Sequence, residues 1–159
     1  MKKKVWLFLF AISLALPLGS EAKETLAGPI PAKVLRIVDG DTIVVRAHIW
    51  LGQTIESIVR IRGIDTPEMK GKCEFERQKA EEAKKFVEKM IDGKDIFLEQ
   101  ISYDKYGGRV VAIIKTKGHK SLAEEMINKG LAREYQGKTK HGWCKNQTDE
   151  PDKPKKTSK

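Results

Sequence analysis

Four short stretches of the 159-residue chain carry side chains whose types and spacing can do chemistry. Val38-Asp39-Gly40-Asp41-Thr42 sets Asp41 at the mouth of a tight turn, and Arg60-x-Arg62-x-x-Asp65-Thr66-Pro67-Glu68 gathers two cations and two carboxylates on a proline-stiffened loop. The other two are Asp104-Lys105-Tyr106-Gly107-Gly108-Arg109 and Gly130-Leu131-Ala132-Arg133-Glu134-Tyr135. Cutting a phosphodiester with water takes a metal or cation cluster to absorb charge on the phosphoryl oxygens, and a group that orients and deprotonates the water. Asp41 and Asp65 offer hard carboxylate oxygens, which favour Ca²⁺ or Mg²⁺ over zinc where histidine and thiolate ligands are lacking. Arg60 and Arg109 supply guanidinium forks for phosphate. Glu68 is then left for the water.

Taken singly, each stretch has a plainer reading. Asp39-Gly40-Asp41-Thr42 alone is a hairpin turn, Asp65-Thr66-Pro67 alone opens a loop, and Arg60 and Arg62 alone share a solvated strand face. Their joint occurrence in this order is what points to a site. Asp39 belongs to the turn rather than to a metal, and Arg62 is a charged neighbour of Arg60. His48, His119 and His141 stand apart from one another in surface-like contexts.

Strands and helices must position these residues. Residues 32–38 and 41–47 are rich in Val and Ile around Asp39-Gly40, which predicts a β-hairpin. Alternation through Thr54 to Ile61 predicts a third strand, and Ile96 to Ile101 and Val110 to Ile114 predict two more. Between them Ala80, Ala83, Phe86, Val87, Met90 and Ile91 recur at helical spacing, so residues 75–92 form an amphipathic helix ending near Gly93. Ser121 and Glu124 form a capping box for a second, shorter helix that Gly130 stops. This is an α+β chain, mainly β, and the order suits a five-stranded Greek-key barrel of the oligonucleotide/oligosaccharide-binding (OB) type with two helices.

The first 22 residues read as a signal peptide, with Lys2, Lys3 and Lys4 ahead of an apolar run from Val5 to Leu18 and small residues before a cleavage point at Ala22. That run is shorter than the roughly 20 residues of a spanning helix. Residues 23–31, with Gly28, Pro29 and Pro31, read as a linker, residues 32–145 as the domain, and the lysine-rich residues 146–159 as a disordered tail. The formal charge of +9 favours polyanions as partners. A rival reading, a basic protein acting on anionic membranes, needs a helix with a cationic face, whereas residues 75–92 mix acids with bases. Cys73 and Cys144, an even count in an exported chain, read as a disulfide, and two thiols alone do not complete a tetrahedral zinc shell.

Together the Asp-Gly-Asp-Thr and Asp-Thr-Pro-Glu motifs, separated by a strand carrying Arg60, resemble the staphylococcal nuclease (thermonuclease) family. The likeness runs from about Lys33 to Tyr135, and the Lys105-Tyr106 loop and Gly130-Leu131-Ala132 extend it. It implies a single Ca²⁺ held by Asp41, Asp65 and the backbone carbonyl of Thr66. It also implies that Glu68 handles the water, that Arg60 and Arg109 hold the phosphate, and that DNA and RNA are cut to leave 3′-phosphate ends. Lys105 and Tyr106 match positions on a substrate phosphate, and Tyr135 matches an aromatic near the bound base. The expected protein is an exported monomer, periplasmic or secreted, with no stable protein partner. The alternative is a non-catalytic OB-fold module that binds nucleic acid without cutting, against which stands the presence of all five of Asp41, Asp65, Glu68, Arg60 and Arg109.

Three departures from the family pattern stand out. One extra glycine delays Arg109 by a residue and calls for a bulge or looser turn. Tyr135 comes one residue early. The stretch from Gln136 to Cys144 is too short for the family's third, C-terminal helix, and a Cys73–Cys144 bridge would tie the shortened end beside the Glu68 loop.

Overall fold

Val and Ile recur at alternate positions in the first half of the domain, and a pleated strand with one face out of water answers that pattern. The computed structural model describes residues 24–144; the expected signal peptide and the expected tail from 146 onward lie outside them. In chain order come β1 (Thr25–Leu26), β2 (Ile30–Ile37), β3 (Thr42–Trp50), β4 (Gln53–Ile61), β5 (Ile64–Asp65), α1 (Glu74–Ile91), β6 (Asp95–Tyr103), β7 (Arg109–Thr116), α2 (Leu122–Asn128) and β8 (Arg133–Glu134). β2, β3 and β4 form an antiparallel meander, β4 pairs in parallel with β7, and β6 pairs antiparallel with both β7 and β2. The sheet therefore closes into a five-stranded barrel of the OB type, with β1 added along β6.

Inward-facing Val34, Ile43, Val45, Val59, Ile61, Ile96, Leu98 and Ile114 fill the barrel. α1 buries Ala80, Ala83, Val87 and Ile91, one stripe of its surface, against this core. α2 buries Leu122 and Met126 and is capped by the Ser121 hydroxyl, which accepts the Glu124 N–H as the capping box predicts. Gly130, at φ 67°, ends it.

Two local expectations need correction. Residues 23–31 are not a plain linker, because β1 and the start of β2 lie there, with Thr25 opposite Ser102 and Ile30 opposite Leu98. Those pairings are made with β6, some 70 residues away in sequence, and local composition does not encode them. Asp39-Gly40 is not a two-residue hairpin turn, since the loop between β2 and β3 runs from Val38 to Asp41. Gly40 is needed there for space: a Cβ on it would lie 3.0 Å from both the Ala83 Cβ and the Thr66 Oγ1. One small residue thus lets the Asp41 loop, the Thr66 loop and α1 pack together.

Cys73 and Cys144 are joined across 71 residues of sequence, and Cys73 is the N-cap of α1. From Tyr135 to Cys144 the chain contains no helix and returns to the start of α1. Two outcomes follow from this packing. The Gly40→Ala protein should lose about 1–3 kcal/mol by overpacking, read as a lower urea midpoint at unchanged slope. Thiol titration should find no reactive thiol until reductant is added, and the Cys73→Ser/Cys144→Ser protein should lose about 4 kcal/mol, since the bridge closes so long a loop.

Candidate active site

In the β3–β4 ladder Thr42 and Arg60 are register partners, which brings Arg60 beside Asp41. The Arg60 Nη1 lies 2.6 Å from Asp41 Oδ2, and Nη2 donates to the Ile64 carbonyl at 3.3 Å. Asp41 Oδ1 accepts from the Thr42 hydroxyl at 2.8 Å, and the Asp39 carboxylate accepts the Asp41 N–H at 3.0 Å. Asp41 is 5 % exposed. Burial pushes its carboxyl up to about 6 even though Arg60 pulls the other way.

Asp65 sits on β5, which β8 holds in place with Asp65 opposite Arg133. Its Oδ2 accepts the indole N–H of Trp143 at 3.2 Å. Its Oδ1 is ion-paired with Lys140 Nζ at 2.8 Å. The same ammonium donates to Glu68 Oε1 at 2.8 Å, and its charge reaches Asp41 as well. Although burial works against the charged amine, Asp65 and Glu68 hold the Lys140 pKa well above the ordinary lysine value. One lysine therefore faces three carboxylates.

The loop after β5 is shaped by a buried glutamate. Glu76, in the first turn of α1, accepts the Lys72 N–H at 2.9 Å and the Glu68 N–H at 3.5 Å. Gly71 leaves room for it, since a Cβ there would come within 2.4 Å of the Glu76 side chain. Glu68 is thereby held with its backbone pinned and its carboxylate exposed. Thr66 and Pro67 are buried behind it.

The extra glycine is absorbed in the turn. Gly108 takes φ 83°, the Asp104 N–H donates to the Arg109 carbonyl, and Arg109 starts β7 opposite Ile58. Arg109 Nε pairs with the Asp104 carboxylate, and its guanidinium lies 5.2 Å from the centre of the Tyr106 ring, with Lys105 Nζ 5.0 Å away on the same ring. Burial alone would raise Asp104, but the hydrogen bonds from Arg109 and from the Lys105 N–H hold it below the usual carboxylate range. Tyr135 donates its N–H to the Gly63 carbonyl, and the Arg60 guanidinium lies 6.0 Å from its ring centre.

An open cleft of about 650 Å³ gathers Asp41, Arg60, Glu68, Lys105, Tyr106, Arg109, Tyr135 and Lys140. Asp65 and Thr66 are buried and do not line it; Asp65 is joined to it through Lys140, which it shares with Glu68. The donor set fits a hard divalent cation: Asp41 and Asp65 are two buried carboxylates, and their hard oxygens are the ligands such an ion prefers. Cys73, Glu76 and Cys144 also come close enough to hold an ion, but both sulfurs are spent in the bridge.

Arg62 lines the cleft yet works as a brace. Its Nη2 donates to the Gln100 carbonyl at 2.7 Å, the Ser102 hydroxyl at 2.8 Å and the Val111 carbonyl at 3.1 Å, fastening β6 where Gln100 takes φ 50°. Sequence reasoning did not find Lys140, Glu76 or the bond from Trp143 to Asp65. The available signal was the return of the chain to Cys73, which carries everything from Tyr135 to Cys144 past the Glu68 loop.

The family model for staphylococcal nuclease homologues matches residues 58–157, a span that holds Arg60, Asp65, Glu68, Arg109 and Tyr135 and begins after Asp41. The chain is also similar to a probable endonuclease, LCL3, from Nakaseomyces delphensis, at 37 % identity over 84 residues. That alignment covers 51 % of this chain and 32 % of the relative, so the chain spans about a third of the length of the curated relative it matches. With a closed OB-type barrel, a cleft that gathers acids and arginines, and a family match over most of its length, the chain belongs to the staphylococcal nuclease homologue family.

Proposed function

We propose that this protein is a Ca²⁺-dependent nuclease that hydrolyses phosphodiester bonds of DNA and RNA. The observation that carries the reading is the meeting of Asp41, Arg60, Glu68 and Arg109 in one cleft, with Asp65 linked to it through Lys140. Asp41, Asp65 and the backbone carbonyl of Thr66 would hold the ion, which supplies charge compensation and Lewis acidity at a phosphoryl oxygen. The residues of the chain do the rest. Glu68, exposed on its pinned loop, takes the proton from the attacking water. Arg60 and Arg109 hold the phosphate and offset the charge that builds on its equatorial oxygens. Attack in line breaks the bond to the 5′ oxygen and leaves a 3′-phosphate. Lys105 and Tyr106, on the exposed loop before Arg109, suit the adjoining backbone phosphate, and Tyr135 suits stacking on a base.

Export is part of the proposal, supported by the leader-like first 22 residues and by a disulfide of the kind that persists in oxidising compartments. Among the described residues no helix is long and apolar enough to cross a membrane. The binding-module alternative differs in one respect that an assay can see, namely cleavage.

Plasmid DNA with Ca²⁺ should be nicked and degraded, and chelator should stop it. Glu68→Gln should lower kcat by about 10²–10⁴ while leaving DNA binding intact. Arg109→Lys, which keeps the charge and loses the fork, should cost about 10²–10³ in kcat. Cleavage that survives chelator, or DNA binding without any cleavage by the unsubstituted protein, would overturn the reading.

A further inference from the structure

Lys140 has no part in the proposed chemistry, yet the fold spends several interactions on placing it. Cys144 is bonded to Cys73, Trp143 donates to Asp65 Oδ2, and the Arg133 guanidinium stacks 3.8 Å over the Trp143 ring while donating to the Gly142 carbonyl. On the other side of Lys140, the Tyr135 hydroxyl donates to the Lys138 carbonyl. A lysine on a free surface segment loses much side-chain entropy in any one geometry, and for that reason most such ion pairs contribute little. A segment fastened at both ends has already met part of that cost. The ammonium then sits 2.8 Å from Asp65 Oδ1 and 2.8 Å from Glu68 Oε1.

We propose that Lys140 is a built-in competitor of the divalent ion, occupying Asp65 and Glu68 until the ion displaces it, and that the Cys73–Cys144 bridge sets its strength by holding it over the site. The inference rests on the Ca²⁺ reading above. An ammonium and a divalent cation both need Asp65 and repel each other, so occupancy by one weakens the other reciprocally. Lys140 thereby sets the Ca²⁺ level at which the site fills. It also keeps the buried carboxylate paired when no divalent ion is bound.

Calorimetric Ca²⁺ titration of the mature protein tests this without using activity. Lys140→Met should bind Ca²⁺ about tenfold more tightly than the unsubstituted protein, whereas Lys140→Arg should stay near it. The Cys73→Ser/Cys144→Ser protein, which keeps Lys140 but frees its segment, should shift in the direction of Lys140→Met. A second measurement needs no substitution: the acylation rate of Lys140, followed by mass spectrometry, should rise when Ca²⁺ is added. Equal or weaker Ca²⁺ binding by Lys140→Met, or an acylation rate that Ca²⁺ leaves unchanged, would overturn the competitor role while the Ca²⁺ reading stands. No Ca²⁺ binding by either the unsubstituted protein or Lys140→Met would remove both.

Discussion

Asp41 and Asp65 are almost wholly withdrawn from water, at 5 % exposure each, and a carboxylate in that setting keeps its charge only where a cation faces it. The architecture of the site follows from this requirement. Arg60 answers Asp41 at 2.6 Å and Lys140 answers Asp65 at 2.8 Å, while burial, with Asp39 nearby, still holds the Asp41 carboxyl above its ordinary value.

Meeting that requirement at one point takes backbone from opposite ends of the domain. The β3–β4 ladder carries Arg60 to Asp41, while the small β5–β8 pair carries Asp65 to the last segment of the chain. Gly40 and Gly71 give the space, one letting the Asp41 loop lie on Thr66 and α1, the other letting Glu76 fold back under the Glu68 loop. Neither glycine is at positive φ, so both serve close approach rather than an unusual turn. Strands carry Arg60, Asp65 and Arg109, and Asp41 and Glu68 stand on loops beside them.

Much of this was legible in the residues alone, for physical reasons that also mark the limits. Strand alternation and the helical stripe from Ala80 to Ile91 are local periodicities, and each appears as an element close to its expected bounds. The cleft-lining Asp41, Arg60, Glu68 and Arg109 were legible because motif residues of these types have few other uses in that order. β1, β5 and β8 were not, since strands of two residues exist only through their partners. Lys140 was hidden for a different reason: among neighbouring lysines it has no local signature, and its two carboxylate partners lie some 70 residues earlier. Arg62 reads as a twin of Arg60 by spacing, whereas the bulge at Gln100 turns it into a brace.

The barrel is sealed by one parallel seam, where β4 meets β7 with Ile58 opposite Arg109. Arg60 and Arg109 belong to the two strands of that seam, and α1 and β6 lie between them in the chain. Pairings this distant in sequence bear a large loop-closure entropy and slow the folding of the topologies that need them. A chain in which this seam has not closed carries Arg60 and Arg109, the guanidiniums proposed to hold the phosphate, on strands that have not yet met. Under the proposed activity, nascent or misassembled copies would be harmless to nucleic acid around them, and the capacity to cut would arise only with final closure.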